Sequence, residues 1–297
     1  MEFWGELCAL LTATSWSLSS YIFTAVALRV GTIQLIISRL IISAVFLAIT
    51  LLAFRINLSA QPVQIFYLAL SGFIGLVIGD TFLFKSFETI GPRLSLLIMS
   101  INPGIAAVLA YLVIGETLGW FAILGMVVTL SGIFLVILER KPGTENTKFK
   151  ITKKGVIYAL IGAAGQGVGV IFAKMAYIAG DINGLYATFI RVVTATIILI
   201  PLFIILKKYK NPLKVYREDI KSLGMVLIGS VIGPYVGITL SFFAIIYAKI
   251  GIATTLMSTI PIIMLPLSIA IHKEKLSWKS VAGAFITVIG VAILFIK

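Results

Sequence analysis

The chain is a succession of apolar runs, each about as long as a membrane-spanning helix. A helix needs roughly 20 apolar residues to cross a bilayer. Hydrophobic residues make up 60% of the sequence and charged residues only 12%, whereas a soluble domain has roughly a quarter of its residues charged. The pattern excludes an ordinary soluble globule and predicts an all-α polytopic membrane protein. Its ten predicted transmembrane segments lie near 6–28, 32–54, 64–87, 93–114, 119–138, 155–178, 183–206, 222–247, 252–271 and 278–296.

The second half of the sequence repeats the first. Matches of rare residues, which apolar runs do not share by chance, are Pro103 with Pro261, Ser100 with Ser258, Glu116 with Glu274 and Trp120 with Trp278, all 158 apart, and Arg39 with Arg191, 152 apart. Five helices in each half is an odd number, so the second half enters the membrane from the opposite side. We therefore predict a five-plus-five inverted repeat around a central cavity. The predicted units are residues 1–138, a basic linker at 139–154, and residues 155–297.

The positive charges predict an orientation. Eighteen of the 24 Lys and Arg residues fall in the odd-numbered connections between segments, and only three fall on the other side. Because cytoplasmic loops carry the excess of positive charge, we expect a multi-pass protein of the cell membrane with both termini outside. The formal net charge of +13 is explained in the same way, so nucleic acid is not an expected partner.

Few residues suit catalysis or metal binding. Cys8 is the only cysteine and His272 the only histidine, so a metal site or catalytic relay is not expected. We predict no catalytic residue, no metal and no cofactor. The expected partners are the lipid bilayer and a small-molecule solute, and a homodimer remains an open alternative.

Several stretches resemble a known family. The run GDTFLFK (79–85), the Gly115-Glu116 pair after the fourth segment, and the doubled five-helix plan are similar to the EamA-type drug/metabolite transporter superfamily. The resemblance implies a ten-helix bundle and transport, often export, of small metabolites such as amino acids. It also implies cytoplasmic termini, which the charge distribution of this chain contradicts.

Two arginines and one aspartate lie inside predicted helices, where charged residues are usually functional. Arg39 and Asp80 are each about seven residues, roughly 10 Å, from the same membrane face, so we predict an ion pair or a shared polar cluster. A static pair that fixes helix packing is the alternative. Arg191 corresponds to Arg39, but the residue that corresponds to Asp80 is Ile238. Arg191 is thus a candidate to bind a substrate carboxylate; the alternatives are a bond to Tyr235 or to backbone carbonyls, or an outward-reaching side chain.

Other polar and aromatic side chains fall near the predicted midplane and are candidates to line the cavity. For the largest of them, Trp16, filling the bundle core is the alternative. The full set of candidate substrate-binding residues is Trp16, Tyr21, Asp80, Asn102, Gln166, Arg191 and Tyr235.

The sequence Met-Ser-x-x-Pro occurs in the fourth and the ninth segment, at residues 99–103 and 257–261. A proline inside a helix removes a backbone hydrogen bond, and a nearby serine hydroxyl can satisfy the freed carbonyl. We predict matched hinges at Ser100 and Pro103 and at Ser258 and Pro261. The expected function is a secondary transporter with alternating access. Two alternatives stay open: a membrane enzyme acting on lipid-linked substrates, and a non-transporting scaffold.

Overall fold

The computed structural model describes residues 3–99, 101–139, 152–260, 262–263 and 278–294, and the regular secondary structure among those residues is helical, without a strand. The helices are α1 (Trp4–Val30), α2 (Thr32–Ala53), α3 (Pro62–Ser71), α4 (Thr81–Met99), α5 (Asn102–Leu109), α6 (Trp120–Glu139), α7 (Lys153–Ile178), α8 (Gly184–Ile205), α9 (Pro212–Glu218), α10 (Ile220–Ser230), α11 (Ile238–Tyr247), α12 (Ile250–Met257) and α13 (Trp278–Leu294). Wider π-helical turns join α3 to α4 over Gly72–Asp80 and α10 to α11 over Val231–Gly237, and a third, Ala110–Ile114, extends α5.

The helices have the length and surface of membrane spans. Large apolar side chains such as Leu52, Ile197 and Phe285 are exposed, and an extended apolar surface of this kind fits lipid rather than water. The chain therefore crosses a membrane several times. The described stretches that are long and apolar enough to do so, at 22 to 28 residues each, are Thr32–Ala53, Pro62–Phe87, Lys153–Ile178, Gly184–Ile205 and Ile220–Tyr247.

Polar side chains set several helix starts. Thr152 Oγ1 accepts a hydrogen bond from the Gly155 N–H at 3.1 Å, and Asn183 Oδ1 accepts one from the Leu185 N–H at 2.9 Å. Such caps satisfy N–H groups that the first turn leaves free. The Thr152 cap explains why α7 begins at Lys153, two residues before the predicted segment.

The predicted boundary between the third and fourth segments, at residues 88–92, is wrong. The helix α4 continues through this stretch to Met99, and the next helix begins at Asn102. Gly91-Pro92 commonly ends a helix in water. Here the helix continues past the pair, at the cost of the one backbone hydrogen bond that a proline cannot form.

Both copies of Met-Ser-x-x-Pro coincide with a helix interruption. In the first copy α4 ends at Met99, and Pro103 lies in the first turn of α5, where a missing N–H leaves no carbonyl unpaired. In the second copy α12 ends at Met257, and Ser258 Oγ donates to the carbonyl one turn earlier at 2.9 Å. The two remaining residues of the predicted hinges, Ser100 and Pro261, lie outside the described residues.

Helices α6 and α13 pack through a reciprocal contact. Gly132 of α6 faces Thr287 of α13, and Thr129 faces Gly290, so residue numbers rise along one helix as they fall along the other and the helices are antiparallel. The two threonines are 158 residues apart, and so are the two glycines. Equivalent residues of the two halves therefore exchange the same contact, as they do across a two-fold axis. A Cβ atom at Gly290 would lie only 2.7 Å from Thr129 Cα, and one at Gly132 only 2.5 Å from Thr287 N. The two backbones thus approach as closely as glycine permits.

Two further equivalent sites cap helices in the two halves. Gln61 and Gln64 form a capping box at the start of α3, and Gln64 Nε2 also donates to two carbonyls at the end of α7, at 2.7 and 3.2 Å. At the spacing of 158, Asp219 and Ser222 cap α10. There the cap reaches the end of α1, because Asp219 accepts two hydrogen bonds from Arg29, at 2.7 and 2.8 Å. One cap joins helices through a neutral amide and the other through an ion pair.

The ion pair predicts a pH dependence. The Arg29 guanidinium and, after it, the Ser222 hydroxyl hold the pKa of the Asp219 carboxyl well below its usual range. A carboxyl group whose pKa is lower in the folded than in the unfolded protein stabilises the fold. The full stabilisation is present at pH values above the pKa in the unfolded protein, about 3.9, and it is lost as the pH falls toward the pKa in the folded protein. Asp219→Asn should therefore lower the melting temperature at neutral pH, and the difference from wild type should shrink below about pH 4.

The measurement is thermal unfolding of detergent-solubilised protein across the pH range. Glu218→Gln is the matched control, because it removes a neighbouring negative charge and leaves the Arg29 contact in place. A difference between Asp219→Asn and wild type that stayed constant with pH would contradict the prediction.

Candidate functional site

The polar centre of the bundle is built around Asp80, the last residue of the first π-helical segment. Arg39 Nη2, from α2, contacts one carboxylate oxygen, and Gln166 Nε2, from α7, donates to the other at 3.0 Å. Arg39 is 8% exposed and Asp80 is 9% exposed. A buried charge needs such partners, and Asp80 has one on each oxygen. The structure thus places the predicted pair in contact and adds Gln166 from the other half of the sequence.

Arg191, in α8, is as buried as Arg39 but has no carboxylate. It is 8% exposed, its Nη2 faces Gly75, and its Nε has no hydrogen-bond partner. Within the described residues, neither a carboxylate nor another hydrogen-bond acceptor meets its guanidinium. Its Cζ lies 5.4 Å from the centroid of the Phe242 ring, a cation–π contact that recovers only part of the cost of burial.

Tyr177 supplies a second polar group without a partner beside the same ring. Its ring packs edge-on against Phe242, with the centroids 5.8 Å apart, and its hydroxyl is buried and unpaired. Sequence reasoning missed Tyr177. It lies in the last turn of α7, where tyrosines are common because helix ends meet the membrane interface. The residue that corresponds to it at the spacing of 150 is Ala27.

Each of the two arginines lies over the ring of a phenylalanine. Arg39 Cζ lies 4.8 Å from the centroid of Phe84, which is four residues after Asp80. Arg191 lies in the same way over Phe242, which is four residues after Ile238. Residues four apart share a helix face. The buried Ile238 therefore shares a helix face with Phe242, as Asp80 does with Phe84.

Trp16 and Gln166, which correspond at a spacing of 150, pack on equivalent glycines. A Cβ atom at Gly237 would lie 2.5 Å from Trp16 Nε1, and one at Gly79 would lie 3.0 Å from Gln166 Cγ. Both glycines belong to the π-helical segments, which correspond at the spacing of 158. Each contact joins a residue of one half to a glycine of the other, so both side chains lie where the two halves meet. π-helical turns often mark functional sites.

The remaining candidates are Tyr235, Asn102 and Tyr21. Tyr235 bonds the Thr50 hydroxyl at 2.7 Å, and within the described residues it forms no hydrogen bond to Arg191. Asn102 Oδ1 is buried without a partner and faces Gly167 of α7. Tyr21 is half-buried in α1.

No metal site is evident in the described part of the chain, where no three His, Cys, Asp or Glu side chains are close enough together to hold an ion. The centre instead combines two guanidinium groups, one carboxylate, amide and phenol groups, and aromatic rings. These groups suit reversible recognition of a small polar solute.

Comparison with known proteins identifies the family. The profile of the EamA-like transporter family matches residues 3–138 and 153–296. The chain belongs to the EamA-like transporter family. The resemblance inferred from the sequence motifs is thus confirmed, and the chain is a member of a membrane transporter family of the drug/metabolite superfamily.

A solved structure described as "Crystal structure of protein" supports the fold of this EamA-like chain. It aligns with 97% of this chain and 94% of its own length, with a TM-score of 0.76 and 17% sequence identity. At that identity the likeness concerns the fold alone. None of the curated proteins compared with the chain matches it.

In this EamA-like protein the corner between α11 and α12 is held by side chains of the first half and of α7. Lys174 Nζ donates to the carbonyls of Ile245 and Ala248 at the C-terminal end of α11. The negative end of the helix dipole stabilises a cation there. Glu116 Oε1 accepts from the Ile250 N–H at the start of α12, at 2.6 Å. The glutamate of the Gly-Glu motif therefore caps a helix of the other half.

Proposed function

We propose that this protein is a secondary transporter that moves small metabolites across the cell membrane by alternating access, with export as the direction. Its ten transmembrane helices form two five-helix halves of inverted topology, and the solute binds near the midplane between them. In transporters of this kind one half rocks against the other around a central site.

The reciprocal contact between α6 and α13 is the observation that carries the proposal. Gly132 against Thr287 and Thr129 against Gly290 join equivalent residues of the two halves in antiparallel helices. A two-fold axis perpendicular to two antiparallel helices that span a membrane lies in the membrane plane. An inverted repeat has this symmetry, which would allow two states of similar energy, related by the two-fold axis, that open to opposite sides.

The centre supplies a solute site and a link between the halves. Gln166, from the second half, bonds Asp80, from the first, and Asp80 in turn holds Arg39. Breaking and remaking this bond would couple the state of the site to the relative position of the halves. The helix interruptions at Met99 and Met257 are places where each half bends with little loss of backbone hydrogen bonding.

A transport assay tests the function. Purified protein in proteoliposomes should give saturable uptake of at least one amino acid or small organic acid above protein-free vesicles. A second, unrelated membrane protein of similar size controls for leak. Failure of every solute in a broad metabolite panel would contradict the proposed function.

The orientation has a separate test. In a Cys8→Ala background, Ser59→Cys lies in the loop after α2 and Lys208→Cys lies in the loop after α8, and both positions are exposed. With both termini outside, a membrane-impermeant maleimide added to intact cells should label the cysteine at position 59 and spare that at 208. The reverse labelling would mean cytoplasmic termini.

A further inference from the structure

The buried centre carries an unbalanced charge. Arg39 and Asp80 neutralise one another, whereas Arg191 is 92% buried and, within the described ranges, meets no carboxylate. The Asp80 carboxylate acts on Arg191 only from beyond hydrogen-bonding distance. A buried charge without a bonded counter-ion is strongly unfavourable, so an anion bound at Arg191 would lower its cost. Among Arg39, Asp80 and Arg191 the imbalance is a single positive charge, which a monovalent anion neutralises.

The symmetry of the halves indicates where that anion binds. Each arginine lies over a phenylalanine, Phe84 or Phe242, and four residues before that ring stands Asp80 in the first half and Ile238 in the second. We propose that the solute is a small carboxylate-bearing molecule whose carboxylate pairs with Arg191, in the role that the Asp80 carboxylate has for Arg39. The inference rests on the proposed transport function and specifies the solute class for that same site.

The groups around Arg191 suit a carboxylate. A guanidinium offers parallel N–H donors that match two carboxylate oxygens, and the buried, unpaired Tyr177 hydroxyl beside Phe242 is a further donor. A dianionic phosphate would leave the centre with a net negative charge. The ring of Phe242 provides an apolar wall for the carbon skeleton of the solute.

Binding is tested directly with matched ligands. The probes are C2–C6 monocarboxylic acids, each beside its primary amide, with inorganic phosphate as a separate anion. At least one acid should raise the melting temperature of the purified wild-type protein, and its amide should not. Arg191→Gln should weaken that acid at least tenfold, and Arg191→Lys, which keeps the charge but loses the fork, should weaken it less.

Two variants at Ile238 test the symmetry argument. Ile238→Asp restores the missing carboxylate, so it should pair with Arg191 and abolish acid binding while the protein stays folded by gel filtration. Ile238→Asn has the same shape without the charge and should retain acid binding. Equal acid binding in wild type and in Ile238→Asp would overturn the proposed role of Arg191.

The results separate this inference from the proposed function. Stabilisation by an acid but no flux of it in proteoliposomes would support the carboxylate site and contradict transport. Flux that treats acid and amide alike, or that survives Arg191→Gln unchanged, would support transport and overturn the carboxylate site. Stabilisation by phosphate alone, or by no acid, would also overturn it.

Discussion

Replacement of Arg39 by methionine is expected to lower the free energy of unfolding by about 3–5 kcal/mol, because it leaves the Asp80 carboxylate buried without its cation. Asp80 is 9% exposed, and Gln166 remains as a neutral donor to one of its oxygens. Thermal or denaturant unfolding in detergent measures the loss. The double variant Arg39→Met with Asp80→Leu removes both charges and should recover most of the stability.

Arg191→Met is the matched control, since it replaces the equivalent arginine of the second half. In the described part of the chain Arg191 bonds no carboxylate, and Asp80 keeps its bonds to Arg39 and Gln166, so the removal of Arg191 leaves no carboxylate unpaired. Its melting temperature should equal or exceed that of wild type. Equal destabilisation by the two single variants would mean that Arg191 is a structural charge with a partner of its own, and would contradict the contrast between the halves.

Alanine at Gly290 is expected to destabilise the protein by about 1–3 kcal/mol, the usual cost of overpacking. The new Cβ would lie 2.7 Å from Thr129 Cα, and a backbone atom cannot turn aside as a side chain can. Because the contact is reciprocal, Gly132→Ala should cost a similar amount. The free energy of unfolding of each variant measures how closely the helices pack at that glycine. The agreement between the two values measures the symmetry of the contact.

Gly224→Ala is the control for the change of residue alone. A Cβ at Gly224, in α10, would meet no atom within 4 Å, and alanine favours a helix over glycine by up to about 1 kcal/mol. Its stability should stay the same or rise. A large loss at Gly132 with none at Gly290 would contradict the two-fold relation between α6 and α13.

The sequence was sufficient for those parts of the structure that depend on periodicity and depth. The lengths of the apolar runs predicted an all-helical membrane protein. The equal depth of Arg39 and Asp80 below one membrane face predicted that these two side chains would meet. The boundary near residue 90 was wrong because α4 continues past Gly91-Pro92, a pair that commonly ends a helix.

Contacts that depend on packing between helices could not be read from the sequence. Tyr177 was missed because its partner ring, Phe242, is 65 residues away and its own position suggested an interface. Tyr235 was placed near the cavity, yet its hydroxyl bonds Thr50. The cap that Glu116 provides for α12 joins the halves, and spacing within one half does not reveal it.

The most direct test of alternating access is counterflow in proteoliposomes. Vesicles preloaded with an unlabelled carboxylate solute are diluted into a trace of the labelled one. A transporter whose site opens to one side at a time should accumulate label transiently above equilibrium, and Arg191→Gln should abolish the overshoot. Label that only equilibrates, or that enters no faster than in protein-free vesicles for every solute tested, would contradict transport by this mechanism.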